Sequence, residues 1–360
     1  MIQSKVEMRS TPRALARPSI VALKPYTSAR DEFSGTARIF LDANENSLGS
    51  PLNEAFNRYP DPYQRELKAK ISEMESIAEE RVFVGNGSDE VIDLLFRVFC
   101  EPGKDKCLIC PPTYGMYEVS AEINGAEVLR VPLTKDFDLD PQAIRNVADE
   151  STKLLFFCSP NNPTGNLLDR DKLISIARSV NAMVVVDEAY IHFSKAGSIV
   201  GFLDANPNLV VLRTYSKAWG LAGLRVGTAF ADPETVALLN KVKPPYNVSD
   251  AAQRLLLGAL ENEDRVLEMT GEIISLREAL TEDLESIPPV QKVYRSDANF
   301  VLVRVSDPVA IYEYLVDRGI VVRDRSRVRL CEGCLRITVG TRDQNDALLR
   351  ELRSYGENVG

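Results

Sequence analysis

Residues 153–190 read KLLFFCSPNNPTGNLLDRDKLISIARSVNAMVVVDEAY, and their pattern decides the fold. KLLFF and AMVVV are continuous apolar runs rather than alternating ones, the mark of strands covered on both faces. Between them, RDKLISIARSV carries helical spacing. The same alternation extends outward from about residue 80 to 230. RVFV leads into a turn, and residues 88–100 (SDEVIDLLFRVFC) show a helical pattern with acids in the first turn. CLIC, AEVLRVPL, LVVLRTYS and VGTAFA are further strand candidates. The pattern is that of an α/β protein: a mostly parallel sheet between helices. A long charged helix is expected around 262–287. Beyond it, VQKVYR, NFVLVRV, IVVRD and CLRITVG alternate with fewer helices, which fits a smaller α+β domain.

Composition narrows the function. A chain of 360 residues suggests two domains, or one large domain with a smaller companion. The balance of 43 basic against 52 acidic residues gives a net charge of −9, which argues against nucleic acid as a partner. No apolar run approaches the roughly 20 residues of a membrane span, so no membrane partner is expected. Residues 1–30 carry Lys5, Arg9, Arg13, Arg17, Lys24 and Arg30 against one acid, Glu7. That start reads as a mobile arm, with an organellar transit peptide as the alternative. It lacks the apolar core of a secretion signal. Of the six cysteines, Cys107 and Cys110 lie in an apolar strand and point to opposite faces, so they cannot grip one ion. Cys331 and Cys334 span a Gly turn, but two thiolates alone make no zinc site, and the single histidine, His192, lies near neither pair. No metal is expected, and reduced thiols point to a cytoplasmic protein.

Polar groups stand where the apolar runs end. In an open α/β sheet, ligands bind outside the carboxyl ends of the strands. RVFV ends at Gly85-Asn86-Gly87-Ser88-Asp89 and feeds a helix, whose free amides could receive one phosphate; a plain capped turn reads equally well. Glu90 replaces the third glycine of a dinucleotide fingerprint. KLLFFCSP ends at Asn161-Asn162, AMVVV at Asp187, and LVVLRTYS at Ser216-Lys217. Asp187 after five apolar residues is either a strand-end cap or the partner of a buried cation such as a protonated ring nitrogen. Lys217 is either a surface lysine or an amine desolvated by Ala218, Gly220, Ala222 and Gly223, and so easier to deprotonate. Arg225 would add fixed positive charge for the same phosphate. An amine for an imine, an acid for a pyridinium and a phosphate cradle are what pyridoxal 5'-phosphate demands. Tyr190 and Asn162 are placed for its ring oxygen, and Tyr114 for stacking on its face.

The stretches SPNNPTG (159–165), DEAY (187–190), TYSKAWGLAGLRVG (214–227) and CLRITVGT (334–341) resemble the class I/II aminotransferases of fold-type I. Within them the chain is most similar to the histidinol-phosphate aminotransferase family. KPYTSAR (24–30), LDANEN (41–46), RYPDP (58–62), NGSDE (86–90), FCEPGKD (99–105) and PPTYGMY (111–117) extend the match to nearly the whole chain. The resemblance implies a large cofactor domain with a seven-stranded sheet and a smaller α+β domain. The expected divisions are an arm at 1–35, a small domain at 36–60 and 276–360, and a large domain at 61–275.

It also implies roles. Lys217 anchors the cofactor and moves the proton, Asp187 faces the ring nitrogen, and Asn162 and Tyr190 the ring oxygen. Ser88, Asp89, Ser216 and Arg225 surround the cofactor phosphate. Tyr59 reaches that phosphate from the neighbouring subunit of a homodimer. Arg336 binds the glutamate carboxylate or the substrate phosphate, with Tyr26 and Arg323 as further substrate contacts; otherwise Arg323 is one of several exposed arginines in RDRSRVR. The implied substrates are L-histidinol phosphate, L-glutamate and 2-oxoglutarate. An aromatic or broad-range aminotransferase and a threonine-phosphate decarboxylase share the same core of residues. A non-catalytic pyridoxal-phosphate sensor is the reading from another class, but residues 1–35 are too short for a DNA-binding domain.

Overall fold

The computed structural model describes residues 11–27 and 38–359. Two short helices, α1 (Pro12–Leu15) and α2 (Pro18–Ala22), precede α3 (Arg65–Glu75). Then β1 (Val82–Gly85), α4 (Ser88–Phe99), β2 (Lys106–Ile109), α5 (Met116–Ile123) and β3 (Glu127–Arg130) follow. Next come α6 (Pro141–Val147), β4 (Thr152–Cys158), α7 (Arg170–Ser179), β5 (Met183–Asp187), β6 (Leu209–Thr214) and β7 (Gly227–Ala231). These strands form one sheet of order β1-β7-β6-β5-β4-β2-β3. Only β7 runs against its neighbours; the other six are parallel.

The expected apolar runs are strands because both of their faces are covered. Every residue of β5 and β6 is buried. Side chains alternate between two cores, one holding Leu155, Phe157, Val184 and Val186, the other Leu154, Phe156, Met183 and Val185. Cys107 and Cys110 fall into different cores, on opposite faces of the sheet. Helix α4 buries seven apolar side chains, from Val91 to Phe99, against one face. Each fully buried side chain of this kind is worth roughly 1.5–3 kcal/mol.

After β7 come α8 (Pro233–Val242), α9 (Asp250–Leu260) and α10 (Glu263–Glu285). Helix α10 spans two cores: Val266 and Met269 pack with the large sheet, while Leu276, Leu280 and Leu284 pack with a second one. That second sheet contains β8 (Val290–Val293), β9 (Phe300–Val305), β10 (Arg323–Asp324) and β11 (Cys334–Thr338). Its order is β10-β11-β9-β8 and all its pairs are antiparallel. Helices α11 (Pro308–Asp317) and α12 (Arg342–Val359) complete it. Among the described residues no helix is long and apolar enough to cross a membrane.

Candidate active site

The carboxyl ends of β1, β4, β5 and β6 lie on one edge of the large sheet, and a cavity of about 190 Å³ opens there. Its wall includes Ser88, Asp89, Tyr114, Asn162, Asp187 and Tyr190. Ser216, Lys217 and Arg225 close it from the β6–β7 loop. Nine residues singled out from the sequence therefore share one cavity. A larger cleft of about 650 Å³, running past Phe137, Asn166 and Tyr294, carries none of them.

Asp187 ends β5 and is only 3% exposed. Its Oδ1 accepts from the Ala189 N–H at 3.0 Å, and its Oδ2 accepts from the Tyr117 hydroxyl at 2.8 Å. Burial pushes its pKa up to about 6, against the pull of those two donors and of the Lys217 charge. A carboxylate in that position is under-compensated by the protein alone. It suits a cationic group inside the cavity.

Sequence reasoning does not single out Tyr117, although it lies in PPTYGMY. It sits in the first turns of α5, fully buried, stacked on Phe156 and edge-on to Tyr114. A helix residue three positions after a recognised tyrosine reads as core. Only the fold shows that its hydroxyl ends on Asp187.

Lys217 lines the cavity but is exposed as a residue, as are Gly220, Ala222 and Gly223, which were expected to shield it with Ala218; of those four only Ala218 is buried. Desolvation lowers the proton affinity of its amine first, then the charges of Arg336 and Arg225, while Asp187 opposes them. The amine lies 5.7 Å from the centre of the Tyr190 ring. Tyr190 is itself buried, and burial raises its hydroxyl pKa.

Three segments build a concavity suited to an anion. Gly87, at φ +80, turns the chain into α4, and no side chain caps that helix. Its first amides remain available to an anion. Arg225 adopts the left-handed conformation, φ +55, which costs a non-glycine residue roughly 1–2 kcal/mol. That turn sends the guanidinium back across the site. Nη1 donates to Ser216 Oγ at 3.4 Å and Nη2 stands 3.5 Å from Asp89 Oδ2. Asp89 is also held by the Tyr114 hydroxyl at 3.1 Å. Gly227 allows the closeness, because a Cβ there would lie 2.4 Å from the Ser88 nitrogen.

Asn162 follows β4 and is 8% exposed. Its Oδ1 accepts from Arg336 Nη1 at 2.5 Å, which brings β11 of the second sheet to the cavity wall. Arg323 stands opposite Arg336 in the β10–β11 ladder but does not line the cavity. Tyr26 is 73% exposed and also lies outside it. Tyr59 is half-exposed and stacks on Tyr246 of its own chain, with ring centres 4.5 Å apart. The fit to a phosphorylated pyridinium is good on chemistry alone. An under-compensated carboxylate, a partly desolvated amine and an uncapped helix end with an arginine share one small cavity.

A family model of the class I and II aminotransferases matches residues 39–352. The chain is 52% identical over 342 residues to the histidinol-phosphate aminotransferase of Cytophaga hutchinsonii, covering 95% of this chain and 98% of that one. It is 50% identical over 340 residues to the enzyme of the same name from Parabacteroides distasonis, covering 94% and 97%. Among solved structures, the histidinol-phosphate aminotransferase of Clostridium acetobutylicum aligns at a TM-score of 0.78 and 25% identity. That alignment covers 84% of this chain and 92% of the other.

Proposed function

Because the chain belongs to the class I and II aminotransferases, we propose that it transfers the amino group between L-glutamate and imidazole acetol phosphate, giving 2-oxoglutarate and L-histidinol phosphate. The observation that supports an anionic substrate is the Arg336–Asn162 contact, which sets a guanidinium suited to carboxylate or phosphate against the cavity. The name shared by relatives about half identical over nearly their full length supports the same choice.

Pyridoxal 5'-phosphate, when bound, supplies a carbonyl for the amino group and a ring that accepts electrons from the substrate carbon. Asp187, held by Tyr117 and Ala189, would keep the ring nitrogen protonated. Lys217, with its lowered proton affinity, would hold the carbonyl and then move a proton to and from the substrate carbon. Tyr190 and the amide nitrogen of Asn162 would hold the ring oxygen, since Asn162 Oδ1 is already engaged by Arg336. Tyr114 would cover a ring face. The α4 N-terminus with Ser88, Ser216 and Arg225 would hold the phosphate, and Asp89 would orient Arg225 and Tyr114. Arg336, with Arg323 and Tyr26, would take the substrate anion.

The reading includes a homodimer with shared sites. Leu41, Leu48, Leu52, Phe56 and Tyr59 expose apolar surface along one segment, as a subunit contact requires. Tyr59 would reach its partner's cofactor phosphate. The change of core along α10 supports a division near residue 275, whereas the expected arm boundary at 35/36 lies outside the described residues. Six buried free thiols agree with a reducing, cytoplasmic setting.

A substrate panel tests the function. Turnover of L-histidinol phosphate should exceed that of phenylalanine and of threonine phosphate by at least about tenfold in kcat/KM, a difference one well-placed ionic contact can supply. Preference for phenylalanine would replace the reading with an aromatic aminotransferase.

A further inference from the structure

The second sheet turns Val301, Val303 and Leu335 toward its own helices, and Phe300, Leu302 and Cys334 toward the large sheet. Arg336 shares the latter face with Cys334, two residues away. Arg323 stands directly opposite Arg336 in the ladder. Arg325 stays in register two residues further on, its N–H donating to the Cys334 carbonyl at 2.9 Å. Three arginines thus occupy one face of two adjacent strands.

That arrangement costs stability. Like charges directly opposite on a sheet repel. Among the described residues no carboxylate forms an ion pair with any of the three. Asp324 lies between two of them in sequence, yet its Oδ1 accepts from the Ser326 N–H at 2.7 Å. The Nε atoms of Arg325 and Arg336 are buried without a hydrogen-bond partner. Burial, followed by mutual repulsion with Arg323, lowers the proton affinity of Arg325. Among the carboxylates of the described residues Asp324 alone offsets part of the Arg325 charge, without an ion pair, so three guanidiniums remain under-compensated and suit an anionic ligand. Arg336 already touches the cavity wall through Asn162.

We infer that Arg325 is a specificity-determining residue, completing with Arg323 and Arg336 a site for a phosphomonoester dianion in preference to a carboxylate. A phosphate presents three acceptor oxygens and nearly two charges, whereas a carboxylate is satisfied by one guanidinium fork. Attraction scales with the charge on the ligand, so a third cation favours the dianion more. The inference rests on the amino-transfer reading above and names the residue that separates its two substrates.

The test is Arg325→Gln in the holoenzyme, with each half-reaction followed by the absorbance of the bound cofactor. The kcat/KM for L-histidinol phosphate should fall about tenfold or more, while that for L-glutamate changes less than about twofold. Inhibition by inorganic phosphate should weaken in parallel. The melting temperature should hold or rise, because a repulsive contact is removed. Equal losses in both half-reactions, or none in either, overturn the assignment, as does a lowered melting temperature with unchanged phosphate inhibition. If the wild type does not accept L-histidinol phosphate, the proposed function fails by itself. Inorganic phosphate competing against glutamate then still decides the role of Arg325.

Discussion

In its proposed role, Asp187 sets function against stability at a single residue. Its carboxyl titrates near 3.8 when fully solvated and at about 6 in the fold, because burial disfavours the anion. The folded apoenzyme therefore binds the proton more tightly than the unfolded chain. Stability from this group is highest below the lower value and falls by about 3 kcal/mol as pH rises through the upper one. Denaturant midpoints of the apoenzyme measured from pH 4 to 7 should show that loss, and Asp187→Asn should flatten it while abolishing transamination. A variant with an unchanged slope would show that the carboxylate is compensated by other groups. Lys217→Ala should lose the borohydride-reducible link to the cofactor. Its turnover should drop by about 10²–10⁴-fold from proton transfer alone. Cofactor should still bind reversibly through the α4 end and Arg225, which equilibrium dialysis would reveal.

At the level of elements, the site depends on how closely β7 approaches the start of α4. Gly227→Ala would place a methyl group against the Ser88 backbone. The variant should lose about 1–3 kcal/mol in thermal or denaturant unfolding, the usual range for overpacking. Its affinity for the cofactor should weaken as well, since the same shift displaces the amides of the phosphate cradle. Wild-type affinity in a destabilised variant would separate packing from binding. Much of this scale was legible in the sequence, since continuous apolar runs ending at Asn162, Asp187 and Lys217 give both the strands and their functional edge. What stayed hidden depends on contacts between elements. Tyr117 reads as one more apolar helix position until the fold carries its ring onto Phe156 of β4 and its hydroxyl to Asp187 of β5. The arginine face on β10 and β11 needs the register of a two-residue strand, too short for any periodicity. Alternation cannot show that IVVRD contributes only Arg323 and Asp324 to its sheet.

Over the whole molecule, the proposed homodimer makes a prediction that no isolated subunit could satisfy. If Tyr59 serves its partner's site, Lys217→Ala and Tyr59→Ala impair different halves of one shared site. Mixing the two inactive or weakened proteins and allowing exchange should restore activity, up to about a quarter of all sites under random pairing. Absence of recovery, with exchange confirmed by native mass spectrometry, would place each complete site within one subunit. The structure also separates two tasks along the chain. The cofactor's proposed holders stand on the edge of the seven-stranded sheet, whereas the arginines proposed to read the substrate stand on the four-stranded one. Arg336 joins the two groups through its bond to Asn162. Such a division makes the molecule evolvable. With the roles proposed, substitutions at β10 and β11 would retune which anion is accepted while Lys217 and Asp187 stay in place, so a lineage would exchange substrates without reinventing its chemistry.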